Sequence, residues 1–478
     1  MNTDFPWITY KEWSDTYGDI IYSRILNQDV IILNSEKIAR ALLEKRSSNY
    51  SDRPRFATME LQTCSYCSLR FGIAFRTVMR SYGDTWRKHR RIYHQAFRPE
   101  AAVIYRPMQL RKAHQLLAGL LHDPAKYELH LETHSASIVM SAVYDYDTKP
   151  NDPLVSMIRG AMDSIVHAET PNKAAIIDSY PALTLIPAWF PGASFKRHAL
   201  ELRSVLKDMV ETPFEYALDR ISSGLSAPSM VSEGLARFQG DASFELAIKE
   251  SSATAFGGDW FRDCEPANST HSALLVFIQA MVLNPEVQKR AQAEIDHVVG
   301  TDRLPDFGDR VSMPYVEAVL RETMRFHPIA PLGVPHAAVN DDVYEGYFIP
   351  KGTSILTNIW AMTHDATKYP APFEFKPERF FTSSGDLNDD QVTPIWGWGR
   401  RICVGRYVAD ASLWSAIASM LAVFDFLKAT DENGKDIEFE PRWTSGIASR
   451  PVSFPCRIIP RRCDMDVEKL TSLTSTTM

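Results

Sequence analysis

The sequence predicts a mainly α-helical protein with a small β portion, folded as one large domain. Three observations carry this expectation. Helix starts and stops punctuate most of the chain, and apolar residues between them recur at helical spacing. β-rich runs are short and fall near the N-terminus and after Pro328. No Gly/Ser stretch, charge block or internal repeat divides the 478 residues, so the rule of about 150 residues per domain does not yield three units. Hydrophobic residues make up 45% of the chain, enough for a sizeable core.

From the N-terminus, Asp19 to Leu26 and Val30 to Leu33 read as strands joined by a hairpin turn at Asn27, Gln28 and Asp29. A helix is expected from Ser35 to Lys45. Asp84 can cap a second, running from Thr85 to Phe97 and crowded with Arg87, Lys88, Arg90 and Arg91. Taken alone, such a charge run is a solvated helix face. Phe244 to Phe256 and Ser272 to Val282 read as helices. Asn284, Pro285 and Glu286 give a cap, a first-position proline and a first-turn acid; Gly300 ends the helix they start. Another begins near Pro314 and stops before Pro328, with Val316, Leu320 and Met324 on one face. Glu322 and Arg325 are three apart on it and can pair. Val343 to Ile349 and Ser354 to Ile359 read as strands flanking a turn at Pro350, Lys351 and Gly352. The chain beyond residue 460, above all Lys469 to Met478, is polar and reads as a disordered tail.

Composition excludes several classes. A net charge of −7 argues against nucleic-acid binding. Six scattered cysteines do not make a secreted disulfide framework, and Cys64 with Cys67 lacks the second pair a zinc site needs. His130 and His134, one turn apart without a third ligand, read as a solvated helix face. No run of 18 apolar residues occurs; Ala273 to Leu283 is interrupted by Gln279. Met1 to Pro6 is neither a signal peptide nor an anchor.

The most informative stretch runs from Trp396 to Gly405. Cys403 lies between Gly399 and Gly405, with Arg400 and Arg401 just before it. A single cysteine near glycines is usually a small buried hydrophobe. Here glycine permits tight turns and the approach of a flat ligand, and the arginines can hold carboxylates on it. A helix running on from Val404 would point its N-terminal amides at the sulfur and favour a thiolate. A lone thiolate in such a loop suits one axial bond to haem iron.

Trp396, Gly399, Arg401, Cys403 and Gly405 resemble the haem-binding signature of the cytochrome P-450 superfamily, with Trp396 where that family most often has Phe. Glu322 to Arg325 resembles its Glu-x-x-Arg helix motif, Pro377 to Phe380 its Pro-Glu-Arg-Phe meander, and Trp86 to Arg90 its Trp-x-x-x-Arg helix. The resemblance spans about Tyr10 to Pro460 and is nearest to fungal, especially basidiomycete, members.

It implies the cytochrome P-450 fold over residues 1–460, one helical domain around haem b (iron protoporphyrin IX) with Cys403 as axial ligand. It implies that Trp86, Arg90 and His336 face the haem propionates and that Leu332 to Val334 line the pocket. Taken alone, His336 is an ordinary core or surface histidine. Arg379 would join Glu322 and Arg325 to steady the haem loop. The implied reaction is hydroxylation or epoxidation of an apolar small molecule, a terpenoid or polyketide, with O₂. Electrons would come from NADPH-cytochrome P-450 reductase, docked on the basic helix, since the chain has no nucleotide-binding glycine loop. Fungal relatives begin with a membrane helix and a proline-rich hinge and work at the cytosolic face of the endoplasmic reticulum; this chain shows no such anchor, so it is a soluble protein, one in peripheral membrane contact, or a chain that was truncated or given the wrong start codon.

One segment departs from the family. The long helix across the haem should carry an acid and then a hydroxyl for proton delivery. Here residues 257–268, with Gly257, Gly258 and Pro266, separate its halves. One frame puts Asn268 and Ser269 at the acid and hydroxyl positions, with Thr270 next. The other puts Asp259 at the acid position and treats residues 260–268 as inserted. Joining Asp259 to Ser269 restores a family-like run, as a retained intron fragment or gene-model error would predict; a real bulge at a functional site is the alternative. Two alternatives stand beside the monooxygenase: a haem-binding but catalytically impaired paralogue or gene-model variant, impaired by the insertion at 257–268, and a haem isomerase or dehydratase that uses no O₂.

Overall fold

The structure is a computed structural model and describes residues 2, 4–25, 28–54, 76–149, 152–168, 180–257 and 269–475. Cys64, Cys67, Asp259 and the rest of 258–268 lie outside the described residues. Helix α1 (Pro6–Tyr17) leads into β1 (Ile20–Ile25) and β2 (Gln28–Leu33), which pair antiparallel. Gln28 and Asp29, expected in the turn, pair instead with Ile25 and Arg24. The sheet is completed from the far end of the sequence by β3 (His336–Ala337) and β6 (Ser354–Thr357), in the order β1-β2-β6-β3. β2 and β6 run parallel, with Ile31 opposite Ile355.

Val343 to Ile349 is not one strand. It folds back as β4 (Asp342–Tyr344) and β5 (Tyr347–Ile349) around Glu345 (φ +48°) and Gly346 (φ +84°). Positive φ at both central residues is what a two-residue hairpin needs, and Glu345 adopts it despite its side chain. After Ser35, α2 (Glu36–Ala39) passes into a π-turn at Arg40–Lys45.

Helices make up most of the remainder: α3 (Asp84–Phe97), α4 (Arg106–His122), α5 (Tyr127–Tyr144), α6 (Pro153–Ala168), α7 (Ser194–Ser222), α8 (Met230–Arg237), α9 (Ala242–Gly257), α10 (Ser269–Leu283), α11 (Pro285–Val298), α12 (Pro314–Phe326), α13 (Arg406–Val423) and α14 (Val467–Ser475). Asp84 is not the cap of α3; it stands in the first turn and takes Arg87 at 2.6 Å. Asn284 precedes α11, but its side chain donates back to Ala280 O. His134 is buried and bonded to Lys112 O, not solvated, because α5 packs against α4 on that side. Burial pushes its pKa down to about 4.

α9 and α10 belong to two different apolar cores. α10 is buried all round, and its Leu274, Phe277 and Met281 share a core with Trp414 and Ile417 of α13, Val316 and Leu320 of α12, and Phe426 of β7 (Phe424–Lys428). α9 belongs to the other core, where Ala247, Ile248 and Phe256 meet residues of α3, α5 and α7. Each fully buried Leu or Phe contributes about 1.5–3 kcal/mol, so each of the two helices is anchored by its own core. The expected disordered tail is corrected in part: α14 places Leu470 and Leu473 in the first core, three residues apart on one face. Among the described residues, no helix is long and apolar enough to cross a membrane.

Candidate active site

The cysteine loop is built from two short turns. A 3₁₀ turn at Thr393–Trp396 ends on Gly397 (φ +77°), and a second at Gly399–Arg401 brings the chain back. The Cys403 N–H then donates to Trp396 O at 2.7 Å. Gly399 has φ +51°, and a Cβ there would run into the carbonyl oxygen of Leu43. Only glycine serves at that position. Gly405 differs: it has φ −88°, and an added Cβ would meet nothing within 4 Å. The packing of the described residues does not itself require glycine there. Cys403 itself is exposed at this loop. The following helix starts at Arg406 instead of Val404, so its unbonded N–H groups begin just beyond the thiol.

Four distant segments converge here. Arg90 of α3 donates to Ile402 O at 2.7 Å. Burial holds its pKa below the ordinary value, with Cys403 acting the other way. The Arg401 guanidinium lies 4.6 Å from the Trp86 ring and donates to the carbonyls of Ser51, Thr77 and Arg80. Burial pushes its pKa down to about 9. Arg53 donates to the carbonyls of Val78, Val334 and Pro335; burial and then Arg401 drive its pKa far down. His336 is buried in β3 and donates from Nδ1 to Tyr50 O at 2.7 Å. Burial, then Arg53, lowers its pKa to about 3, so it is neutral.

Among the described residues, this cluster is short of negative charge. Arg53 and Arg401 share Asp52 as the carboxylate acting on both, and its Oδ1 already accepts from the backbone N–H groups of Arg53 and Tyr82. Buried cations with few carboxylates are costly until an anion joins them. A planar macrocycle bearing two carboxylates fits that need, and an indole and an open glycine at the same place fit its flat face.

Glu322 and Arg325 are fully buried, not an exposed surface pair, and meet twice, at 2.6 and 2.8 Å. Glu322 also accepts from Arg379 Nε at 3.1 Å and from Lys376 N–H at 2.8 Å. Arg325 and Arg379 donate their remaining N–H groups to carbonyls of Thr363, Pro370, Ala371, Pro372 and Glu374. The triad binds α12 to the meander ahead of the cysteine loop. These bonds serve the meander and its approach, not the cation cluster.

Ser269 opens α10 and is exposed; Thr270 is buried beside it. Trp396 is half-buried, and the fully buried indole of the loop is Trp398, with Arg40 5.7 Å over its ring. Sequence reasoning missed Trp398 and Arg53. Arg53 sits in a short Ser-Asp-Arg-Pro run whose only signal is that of a loop. The basic face of α3 is also more engaged than expected: Lys88 and Arg91 lie over the stacked rings of Phe238 and Phe244.

Fold and site together define a helical haem protein with a cysteine-bearing loop. Comparison with known proteins agrees: residues 2–213 and 267–454 match the family model Cytochrome P450. The chain is 37% identical over 465 residues to cytochrome P450 monooxygenase claR of Ampulloclitocybe clavipes, covering 96% of this chain and 83% of that one. It is 38% identical over 459 residues to cytochrome P450 monooxygenase COX2 of Coprinopsis cinerea, covering 95% and 85%. It is 38% identical over 460 residues to cytochrome P450 monooxygenase ple1 of Rhodocybe pseudopiperita, again covering 95% and 85%. The chain belongs to the cytochrome P450 family, and it is a haem-dependent monooxygenase, an oxidoreductase that incorporates oxygen.

Proposed function

We propose that Cys403 is the thiolate ligand of haem b and that the enzyme hydroxylates or epoxidises an apolar fungal secondary metabolite, a terpenoid or polyketide. The observation that carries this reading is the joint placement of Cys403 with Arg90, Arg401, Trp86 and His336 around one thiol loop. The bound haem supplies oxygen activation. The protein's own groups do the rest. Arg401 and Arg53, with Asp52 as the carboxylate acting on both, hold carboxylates; neutral His336, whose one N–H goes to Tyr50 O, keeps Nε2 as an acceptor beside them. Trp86 carries Arg401 on its face. The Glu322, Arg325 and Arg379 triad fixes the meander from which the loop departs. Ser269 and Thr270, with Asp259, are the groups for moving protons toward the oxygen side.

Electrons come from NADPH through cytochrome P-450 reductase. Support is found in Arg87 and Arg400, both over the Tyr82 ring beside the loop, where an acidic partner can approach. Peripheral contact with the endoplasmic reticulum membrane is supported by Tyr180, Leu185, Trp189 and Phe190, all exposed between α6 and α7. The test is deletion of the gene in its host, with metabolite analysis under ¹⁸O₂. A missing product that carries one labelled oxygen, with its unoxygenated precursor accumulating, is the expected result. An unchanged profile, or an oxygen drawn from water, contradicts the reading.

A further inference from the structure

A buried polar chain joins α9 to the turn over residues 76–82, and neither the motifs nor the family assignment uses it. Glu250 of α9 and His89 of α3 are both buried. Glu250 Oε2 accepts from Arg80 Nη2 at 2.8 Å and lies 3.1 Å from His89 Nε2. His89 Nδ1 lies 2.7 Å from Thr77 Oγ1. The Thr77 N–H donates to Thr254 Oγ1 on α9 at 3.2 Å, and Tyr93 of α3 donates to Ser251 O at 2.7 Å. Burial pushes the His89 pKa down. The ring is then neutral, with Nε2–H donating to Glu250 and Nδ1 accepting from the Thr77 hydroxyl.

Two residues of this chain face both ways. Thr77 and Arg80 hold α9 and α3 through their side chains, and their carbonyls accept from Arg401. Val78, between them, gives its carbonyl to Arg53. Arg401 and Arg53 are thus oriented in part by carbonyls of one short turn, alongside those of Ser51, Val334 and Pro335, and that turn is fastened to α9.

The geometry points to Glu250 and His89 as positioning residues: they lock the 76–82 turn onto α9 and thereby set where Arg401 and Arg53 present their charge to the haem carboxylates. A contact of this kind couples α9 to Arg401 and Arg53. It rests on the reading of Arg401 as a carboxylate-binding group. Neither Glu250 nor His89 touches the haem or substrate in this scheme. Their effect must pass through Arg401, and that separates positioning from general stability.

The experiment is a double-mutant cycle on the haem-loaded full chain, with Glu250→Gln and Arg401→Lys alone and together. The readouts are the rate of haem transfer to excess apomyoglobin and amide hydrogen exchange over residues 76–82. Glu250→Gln should speed haem loss on the order of tenfold, as coupled buried contacts do, and should speed exchange in the turn. In the Arg401→Lys background the same change should alter haem loss less than about twofold. If Glu250→Gln acts equally in both backgrounds, or in neither, the lock is overturned while the role of Arg401 stands. If Arg401→Lys leaves haem loss unchanged, the reading of Arg401 fails, and the inference with it. Thr77→Val, which removes the His89 partner without changing charge, runs the same cycle should Glu250→Gln not fold.

Discussion

Removing the Arg325 guanidinium should cost the protein its loaded state. Arg325 has no exposed surface and makes two bonds to Glu322 and further bonds to the carbonyls of Thr363 and Pro372. In Arg325→Ala, Glu322 keeps Arg379 Nε and the Lys376 N–H, so its charge is not wholly unpaired. The two carbonyls lose a buried donor each. Breaking a buried ion pair costs ~3–5 kcal/mol, and an orphaned buried group ~1–3 kcal/mol. With Arg379 offsetting part of this, a net loss of about 4 kcal/mol is expected, against a total stability of ~5–15 kcal/mol. Arg325→Lys keeps the charge but not the fork and should lose less. The assay is the ratio of haem absorbance to protein after purification, with a urea unfolding midpoint. Arg325→Ala should be mostly haem-free or insoluble, and Arg325→Lys intermediate. A soluble, fully loaded Arg325→Ala protein with an altered product profile would place the residue at the substrate and refute the reasoning.

Gly399→Ala should destabilise by at least ~1–3 kcal/mol, since alanine at φ +51° is strained and its Cβ meets the Leu43 carbonyl; a wild-type urea midpoint would contradict this. Acidification should weaken the fold between pH 6.5 and about 4. His114, His134, His271, His336 and His364 have pKa values lowered by burial to about 4, 4, 3, 3 and 3, so in this window the unfolded chain binds protons the native state refuses. Equal urea midpoints at pH 7 and pH 5 would speak against it. Deleting Trp260 to Asn268, which rejoins Asp259 to Ser269, should raise product formed per NADPH consumed with a fungal reductase. The reason is that a proton-delivering hydroxyl must lie within ~2.6–3.2 Å of its target or one water away. Equal coupling, with the long transcript found in the host, would show the segment to be tolerated.

The helices were legible because their signals are local. Pro285 and Pro314 start helices where they should, and the four-residue spacing of Val316, Leu320 and Met324 gives α12 its face. The Glu322 and Arg325 pair could be read from spacing, and Arg379 came from the resemblance; the burial of the triad could not be read locally, because it depends on a meander folding over α12. Pairing of β2 with β6 links Ile31 to Ile355, a separation no local pattern encodes. The turn at Glu345 went unseen because glutamate is a poor marker of positive φ. The terminal helix was hidden because two leucines among serines and threonines give too short a period; only the core they enter makes them a face. The cysteine loop was fully visible as a motif. The charge shortage around it was not, since Arg53, Arg90 and Arg401 come together only in space.

The central claim is that Cys403 is the thiolate that holds the haem iron, and the spectrum of the carbon monoxide adduct of reduced protein tests it directly. The wild-type chain should absorb near the red-shifted position that a thiolate ligand imposes. Cys403→Ala should lose that band together with all oxygenation. A Cys403→Ala protein that retains the band would show that another cysteine is the ligand and would contradict the account.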